Sequence, residues 1–275
     1  MTDQLPSLAI LGTGSMGGAI LHGLRQPDVS VGSVRVTTRS DASAAALRER
    51  GIDARATEHE HDANLWAIED ARLVILGVKP AQITDLLEEI APALHPDALV
   101  VSVAAGVTTS TMESRISQPV VRAMPNTPAL VGRGVTGVSG GSRASVAELA
   151  LAATLFRTVG TVIELPESQI DALSTISGSG PAYVFLLIEE LTRAAEELGF
   201  DDDVAALMVQ QTFLGASLLL ESEDEDPAEL RRRVTSPKGT TERAVAVLQE
   251  AQLSELFGRA AQAALARARE LAAGS

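Results

Sequence analysis

Apolar residues follow two rhythms along this chain, and the change from one to the other falls near residue 165. Before it, short unbroken apolar runs alternate with stretches whose apolar positions lie three and four apart. Unbroken runs suit strands buried on both faces, and the wider spacing suits helices that cover them. The pattern therefore predicts a mainly parallel sheet wrapped by helices. Its predicted strands are Leu8–Leu11, Ser33–Thr37, Leu73–Val78, Leu99–Val103, Val120–Met124, Val135–Ser139 and Thr161–Leu165. Between them, Ala42–Arg50 reads as a helix with Ser40 or Asp41 as N-cap and Gly51 as stop. Gln82–Leu94 reads as another, with Leu86, Leu87, Ile90 and Leu94 on one face.

Beyond Leu165 the strand rhythm disappears. In Pro181–Leu198 the apolar positions Val184, Leu187, Ile188, Leu191, Ala195 and Leu198 recur at helical spacing, and Gly199 ends the run. Val204–Leu220 and Leu253–Leu271 repeat the pattern. Leu214–Leu220 is apolar over most of its circumference, which suits burial on more than one side. A helical region of this kind buries its surface best against a second copy, so a homodimer is expected.

Composition narrows the class. A 275-residue chain with 45% hydrophobic residues can pack a sizeable core, and a formal charge of −14 repels polyphosphate backbones. Nucleic acid is not expected as a partner. The one dense basic run, Arg231–Arg233, follows the acidic stretch Glu221–Asp226 and reads as a solvated helix end. The absence of cysteine removes disulfides, thiolate nucleophiles and Cys-based metal sites, and no metal is expected. MTDQLPS lacks the layout of a secretory signal, and no uncharged apolar run reaches the ~20 residues that span a bilayer. The expectation is a cytoplasmic protein without a membrane partner.

Chemistry enters at Gly12-Thr13-Gly14-Ser15-Met16-Gly17, directly after the first strand and before a helical pattern. In this order Gly12 permits the tight bend, Gly14 leaves room for a pyrophosphate, and Gly17 lets the helix lie on the strand. Unpaired N–H groups from about Ser15 then face the diphosphate at the positive end of the helix dipole. NAD-specific folds place an Asp or Glu at the tip of the second strand. Here Thr38, Arg39 and Ser40 stand there, a guanidinium and two hydroxyls that suit a 2′-phosphate. NADP(H) is the expected cofactor, with NAD(H) as the weaker alternative.

Two later strings, SGSGPAY at 177–183 and VTSPKGTTERAV at 234–245, place small residues and hydroxyls before helices. Both suit a small carboxylate, and both also suit plain capping and packing. With GTGSMGGAI, VTTRS, VILGVKP, VSVAAGVT, VVRAMPNTPALVGRGVT, DALSTISGSGPAYVF and VTSPKGTT in this order, the chain resembles the pyrroline-5-carboxylate reductase family nearly end to end. The resemblance implies NAD(P)H-dependent reduction of 1-pyrroline-5-carboxylate, a cyclic imine, to L-proline. It implies an α/β fold, with a Rossmann-like doubly wound NADP-binding domain over residues 1–165. An all-α dimerisation and substrate-binding domain would fill 166–275, with helices interleaved between two subunits and dimers gathered into rings. It places the cofactor on Gly12–Gly17, Arg39 and its neighbours, and Asn64. Further cofactor positions are Val78, Lys79 and Pro80, with Ala104, Ala105 and Gly106. It places the substrate on Ser236, Gly239, Thr240 and Thr241, assisted by Ser179 and Gly180 across the subunit boundary. The family carries Gly-Gly after Ser-Pro, whereas this chain has Lys238-Gly239.

Reducing a protonated C=N bond requires alignment more than acid–base machinery. His22, His59, His61 and His95 all lie outside the matched strings. The expected chemistry is a carboxylate held by N–H groups around Gly239–Thr241, with the Thr241 hydroxyl on the ring nitrogen. Two other readings predict different residues. A β-hydroxyacid dehydrogenase relies on a lysine in the long helix after the Rossmann domain, and Pro181–Leu198 contains none. A sensing module without turnover would have no need of Ser236, Thr240 and Thr241.

Overall fold

The computed structural model describes residues 4–273, with side chains to Glu270. Its first unit alternates β1 (Leu8–Leu11), α1 (Ser15–Gly23), β2 (Val34–Thr38), α2 (Asp41–Glu49), β3 (Asp53–Ala56) and α3 (Ala63–Ile68). There follow β4 (Leu73–Leu76), α4 (Ile83–Ile90), β5 (Leu99–Ser102), α5 (Thr109–Glu113) and β6 (Val120–Met124). After these come β7 (Gly134–Gly140), α6 (Val146–Arg157), β8 (Gly160–Glu164) and α7 (Ile170–Leu173). The strands form one eight-stranded sheet in the order β3-β2-β1-β4-β5-β6-β7-β8, parallel throughout except between β6 and β7.

Strand alternation decides what each face buries. Leu8 and Ile10 of β1, with Leu73 and Ile75 of β4, pack on one side with Ile20 of α1, Ala44 of α2 and Phe156 of α6. Ala9 and Leu11, with Val74 and Leu76, pack on the other with Ile68 of α3, Ile83 and Leu87 of α4 and Met112 of α5. Each inner strand is thus buried on both faces, and a doubly wound sheet satisfies the unbroken apolar runs.

Two local expectations change. The strand β3 went unpredicted because DARA offers no β-branched residue, and its pairing with β2 alone makes it a sheet edge. The helix expected over Gln82–Leu94 is a 3₁₀ turn at Pro80–Gln82, then α4, then a second 3₁₀ turn at Ala91–Ala93. Pro92 lacks the N–H that would continue α4.

The sheet unit extends past its last strand. Among the described residues, 4–179 with 264–273 form one compact unit, and Gly180–Ala263 forms the other. What holds 167–178 to the sheet is Arg122 on β6, only 3% exposed, which pairs with Asp171 at 2.5 Å and with Glu167 at 3.6 Å. Glu167 also accepts the Thr109 N–H at 2.7 Å and its hydroxyl at 2.6 Å. Asn126 donates to the Ser177 carbonyl and accepts the Val135 N–H, both at 2.8 Å. Residues Ser174–Gly178 form a π-helical turn, an irregularity that concentrates at functional sites.

The second unit is helical: α8 (Gly180–Glu197), α9 (Asp202–Ser222), α10 (Pro227–Arg233), α11 (Thr240–Glu250) and the first part of α12 (Leu253–Ala273). Its buried apolar cluster is small, with Ala195, Ala205 and Val209 supported by Ile188 and Phe213. Large side chains face outward instead, including Phe185 at 66%, Leu207 at 63% and Leu214 at 52% exposure. By length and composition α9 could cross a bilayer. Its uncharged stretch Val204–Leu220, however, is at the short end of the range for a span and carries Gln210 and Gln211 at its middle.

Replacing Arg122 with Met should leave Asp171 without its partner at the sheet and Glu167 held by Thr109 alone. Since those carboxylates are 30% and 28% exposed, water recovers part of the loss, and the cost should be about 2 kcal/mol. A lowered urea midpoint, with faster amide exchange across 167–178 than elsewhere, would register it.

Candidate cofactor and substrate sites

The strand order reverses at β1 and β4, so a crevice opens where their C-terminal ends part. Gly12 leaves β1 at φ 87°, a left-handed conformation suited to glycine. A Cβ at Gly12 would lie 2.7 Å from Val78 Cγ1, and one at Gly77 would overlap the Gly12 carbonyl oxygen. The two glycines therefore interlock, with the Gly77 N–H donating to the Leu11 carbonyl at 2.7 Å. Gly17 meets the Gly12 carbonyl oxygen at 3.0 Å from its would-be Cβ, so α1 lies directly on the turn. Gly14 faces open space, with nothing within 4 Å of the point where a Cβ would stand. It is the N-cap of α1, whose first turn has neither a side-chain cap nor an acidic residue. Exposed N–H groups, a positive helix end and free space fit a pyrophosphate.

Hydrogen bonds from β2 hold this turn in place. The Gly12 and Thr13 N–H groups donate to the Thr37 carbonyl at 3.2 and 2.8 Å, and the Thr13 hydroxyl joins them at 3.0 Å. The Thr37 hydroxyl accepts from the Gly12 N–H at 3.2 Å and donates to Asn64 Oδ1 at 3.0 Å. Asn64 in turn donates to the Glu89 carboxylate at 3.1 Å. α3, which carries Asn64, is pinned through Trp66, whose ring has the Arg55 guanidinium at 4.4 Å and that of Arg35 at 5.3 Å. Arg35 also donates to the Trp66 carbonyl at 2.8 Å.

Thr38, Arg39 and Ser40 do stand together at the end of β2, but their hydrogen-bonding capacity differs. Thr38 is buried and donates to the Ser40 carbonyl at 3.0 Å. Ser40 caps α2, accepting the Ser43 N–H at 3.4 Å. Arg39 is exposed, and its guanidinium has no partner among the described residues. Val78, Lys79 and Pro80 follow β4, where Gln82 Oε1 accepts the Lys79 N–H at 3.4 Å. Ala104, Ala105 and Gly106 follow β5. All the expected cofactor residues thus belong to the sheet unit, at the C-terminal ends of β1, β2, β4 and β5 or, for Asn64, on α3.

The expected substrate residues are split. Ser179 ends the sheet unit, with its N–H donating to the Ser174 carbonyl at 2.9 Å, and Gly180 opens α8. Ser236, Gly239, Thr240 and Thr241 lie in the helical unit. Gly239 is the N-cap of α11 and no side chain caps its first turn, while both threonine hydroxyls are free among the described residues. Lys238 adopts φ 62°, a left-handed conformation that costs a residue with Cβ about 1 kcal/mol. The Gly-Gly departure therefore falls where the backbone uses glycine's freedom. Glu242 accepts the Lys238 N–H at 2.9 Å and offsets part of that strain. Upstream, Arg233 pairs with Glu223, Glu225 and Glu229. A hydrogen bond from Arg232 holds the Glu229 carboxyl below the usual carboxylate range. The basic run is thus paired largely with its acidic neighbours.

Sequence reasoning missed Thr37 and Gly77. Thr37 had a usable signal, a hydroxyl one residue inside the strand end, which the register places opposite Leu11. Gly77 was legible as a glycine directly after the strand that flanks β1.

Residues 167–271 match the family described as pyrroline-5-carboxylate reductase dimerisation, and residues 7–106 match one described as NADP oxidoreductase, coenzyme F420-dependent. The chain is 40% identical over 271 residues to a pyrroline-5-carboxylate reductase of Pseudomonas aeruginosa, covering 97% of each. Against that of Corynebacterium melassecola it is 38% identical, covering 97% of this chain and 99% of the other. A solved pyrroline-5-carboxylate reductase from Coxiella burnetii superposes with a TM-score of 0.87 at 37% identity, over 96% of this chain and 97% of that one.

Replacing Gly77 with Ala should force the Gly12 turn aside, at a cost of about 1–3 kcal/mol. Calorimetric titration should show at least a tenfold loss of dinucleotide affinity, with helix content unchanged by circular dichroism.

Proposed function

The chain belongs to the pyrroline-5-carboxylate reductase family, and from that premise we propose how its residues divide the work. The enzyme reduces 1-pyrroline-5-carboxylate to L-proline with NAD(P)H, the last step of proline biosynthesis. The observation that carries the residue assignment is that each unit has one uncapped helix start beside free space or free hydroxyls. One is at Gly14, beside interlocked backbone, and one is at Gly239, beside two free threonine hydroxyls.

In this reading residues 1–165 serve as the NADP-binding domain and 166–275 as the dimerisation and substrate-binding domain. Gly12–Gly17 hold the pyrophosphate, Thr38–Ser40 and Asn64 the adenosine ribose, and Val78–Pro80 with Ala104–Gly106 the nicotinamide half. When bound, the reduced nicotinamide supplies the hydride that the imine carbon accepts. The protein's own task is alignment. N–H groups of Gly239–Thr241, with the Ser236 hydroxyl, hold the substrate carboxylate at the α11 N-terminus. The Thr241 hydroxyl bonds the ring nitrogen, which carries a proton in the reactive imine and keeps it as the secondary amine of proline. Ser179 and Gly180 of the partner subunit close the pocket. None of the four histidines takes part.

The outward apolar faces of α8 and α9 support a homodimer as the working form. Burying a half-exposed Leu or Phe contributes about 1 kcal/mol, and Phe185, Leu186, Leu187, Leu191, Leu207 and Leu214 offer several such gains at once. Consumption of reduced nicotinamide suits the cytoplasm, where that cofactor is regenerated.

Thr241→Ala should lower kcat about a hundredfold while leaving the NADPH dissociation constant within twofold. Steady-state assay of NADPH consumption with pyrroline-5-carboxylate, beside fluorescence titration of the cofactor, tests the assignment, and unchanged turnover would remove Thr241 from the mechanism. Leu187→Glu combined with Leu191→Glu should shift the mass seen by light scattering from a multiple of the chain to the single chain, with activity lost in parallel.

A further inference from the structure

We propose that Glu58 sets this enzyme's choice between NADPH and NADH, a role that rests on reading the end of β2 as the adenosine ribose site. Backbone pairing continues beyond β2 and β3. The Thr57 N–H donates to the Thr38 carbonyl at 2.9 Å, and the Glu58 N–H to the Arg39 carbonyl at 3.1 Å. Glu58 is therefore the immediate lateral neighbour of Arg39. Its carboxylate accepts the Asp41 N–H at 2.7 Å, the first N–H of α2. The Ser40 hydroxyl already accepts from Ser43, so both acceptors that a 2′-phosphate would replace at this helix start are present in the chain. Asp41, Glu58 and His59 bring their side-chain oxygen and nitrogen atoms within 4.8 Å of one another, and all three are exposed.

The balance of charge follows from these contacts. A 2′-phosphate gains the free Arg39 guanidinium but meets two carboxylates, those of Glu58 and Asp41. A 2′-hydroxyl instead finds in Glu58 an acceptor for its proton, the role that a carboxylate at the tip of the second strand plays in NAD-specific folds. Here the acid arrives from the extension of β3. Arg39 and Glu58 thus oppose each other, and the enzyme tolerates both cofactors in proportions that Glu58 tips toward NADH.

The test uses Glu58→Gln, whose amide oxygen can still accept the Asp41 N–H, so the helix cap survives and only the charge is lost. The ratio of kcat/KM for NADPH to that for NADH should rise about tenfold at low salt. Calorimetry with adenosine 2′,5′-bisphosphate should show a similar gain in affinity, and with AMP little change. A ratio and a bisphosphate affinity that stay within twofold of wild type, while Arg39→Ala still weakens NADPH, would overturn the assignment to Glu58 and leave the ribose site standing. If Arg39→Ala also changes neither cofactor, the ribose site itself is misplaced and the Glu58 role falls with it.

Discussion

Two backbones touching without side chains between them set the geometry of the cofactor crevice. The Gly12 carbonyl and the Gly77 Cα approach so closely that any β-carbon at Gly77 would intrude, and this contact sits where the sheet changes direction. It lets the chain leave β1, turn through a left-handed residue and enter α1 with its first N–H groups unpaired. Thr37 fastens the turn through its carbonyl and its hydroxyl together, and through Asn64 the same network reaches α3 and Glu89. One steric constraint at the strand ends is thereby tied to the residues placed around the ribose.

A second polar network does comparable work on the far half of the sheet. Arg122 and Asn126 bind the segment between β8 and α8, including the π-helical turn that precedes Ser179. The position of that serine relative to the sheet is thus set by a buried guanidinium and an amide. Apolar packing alone would not fix it, because a π-turn leaves its backbone irregular and needs directional partners.

Most of the sheet was legible because its inner strands are apolar on both faces. Leu8–Leu11 and Val120–Met124 end where the runs end, and Ser40 caps α2 as its side chain suggests. What escaped was whatever lacks such a signature. β3 is a charged edge whose place comes from pairing with β2, and α4 is shortened by a proline that helical spacing alone ignores. At the site, the glycine turn could be read because glycine is the chemistry there. Thr37 offered only a hydroxyl near a strand end, and its importance emerges from register with a strand distant in sequence. Thr38 and Ser40 read as phosphate ligands in one dimension, and three dimensions add the local hydrogen bonds that fix where their hydroxyls stand. Lys238 runs the other way, a change of residue type that matters first through its backbone angle.

The chain contains one tryptophan, and it sits on α3 two residues beyond Asn64, with the guanidinium groups of Arg35 and Arg55 both against its ring. Indole emission responds to the charges and mobility around the ring, so this enzyme carries a single indole fluorophore, and it stands beside the proposed ribose pocket. Events at the adenosine end can therefore be followed optically and without labelling, using the oxidised cofactor or adenosine fragments, which do not absorb where indole emits.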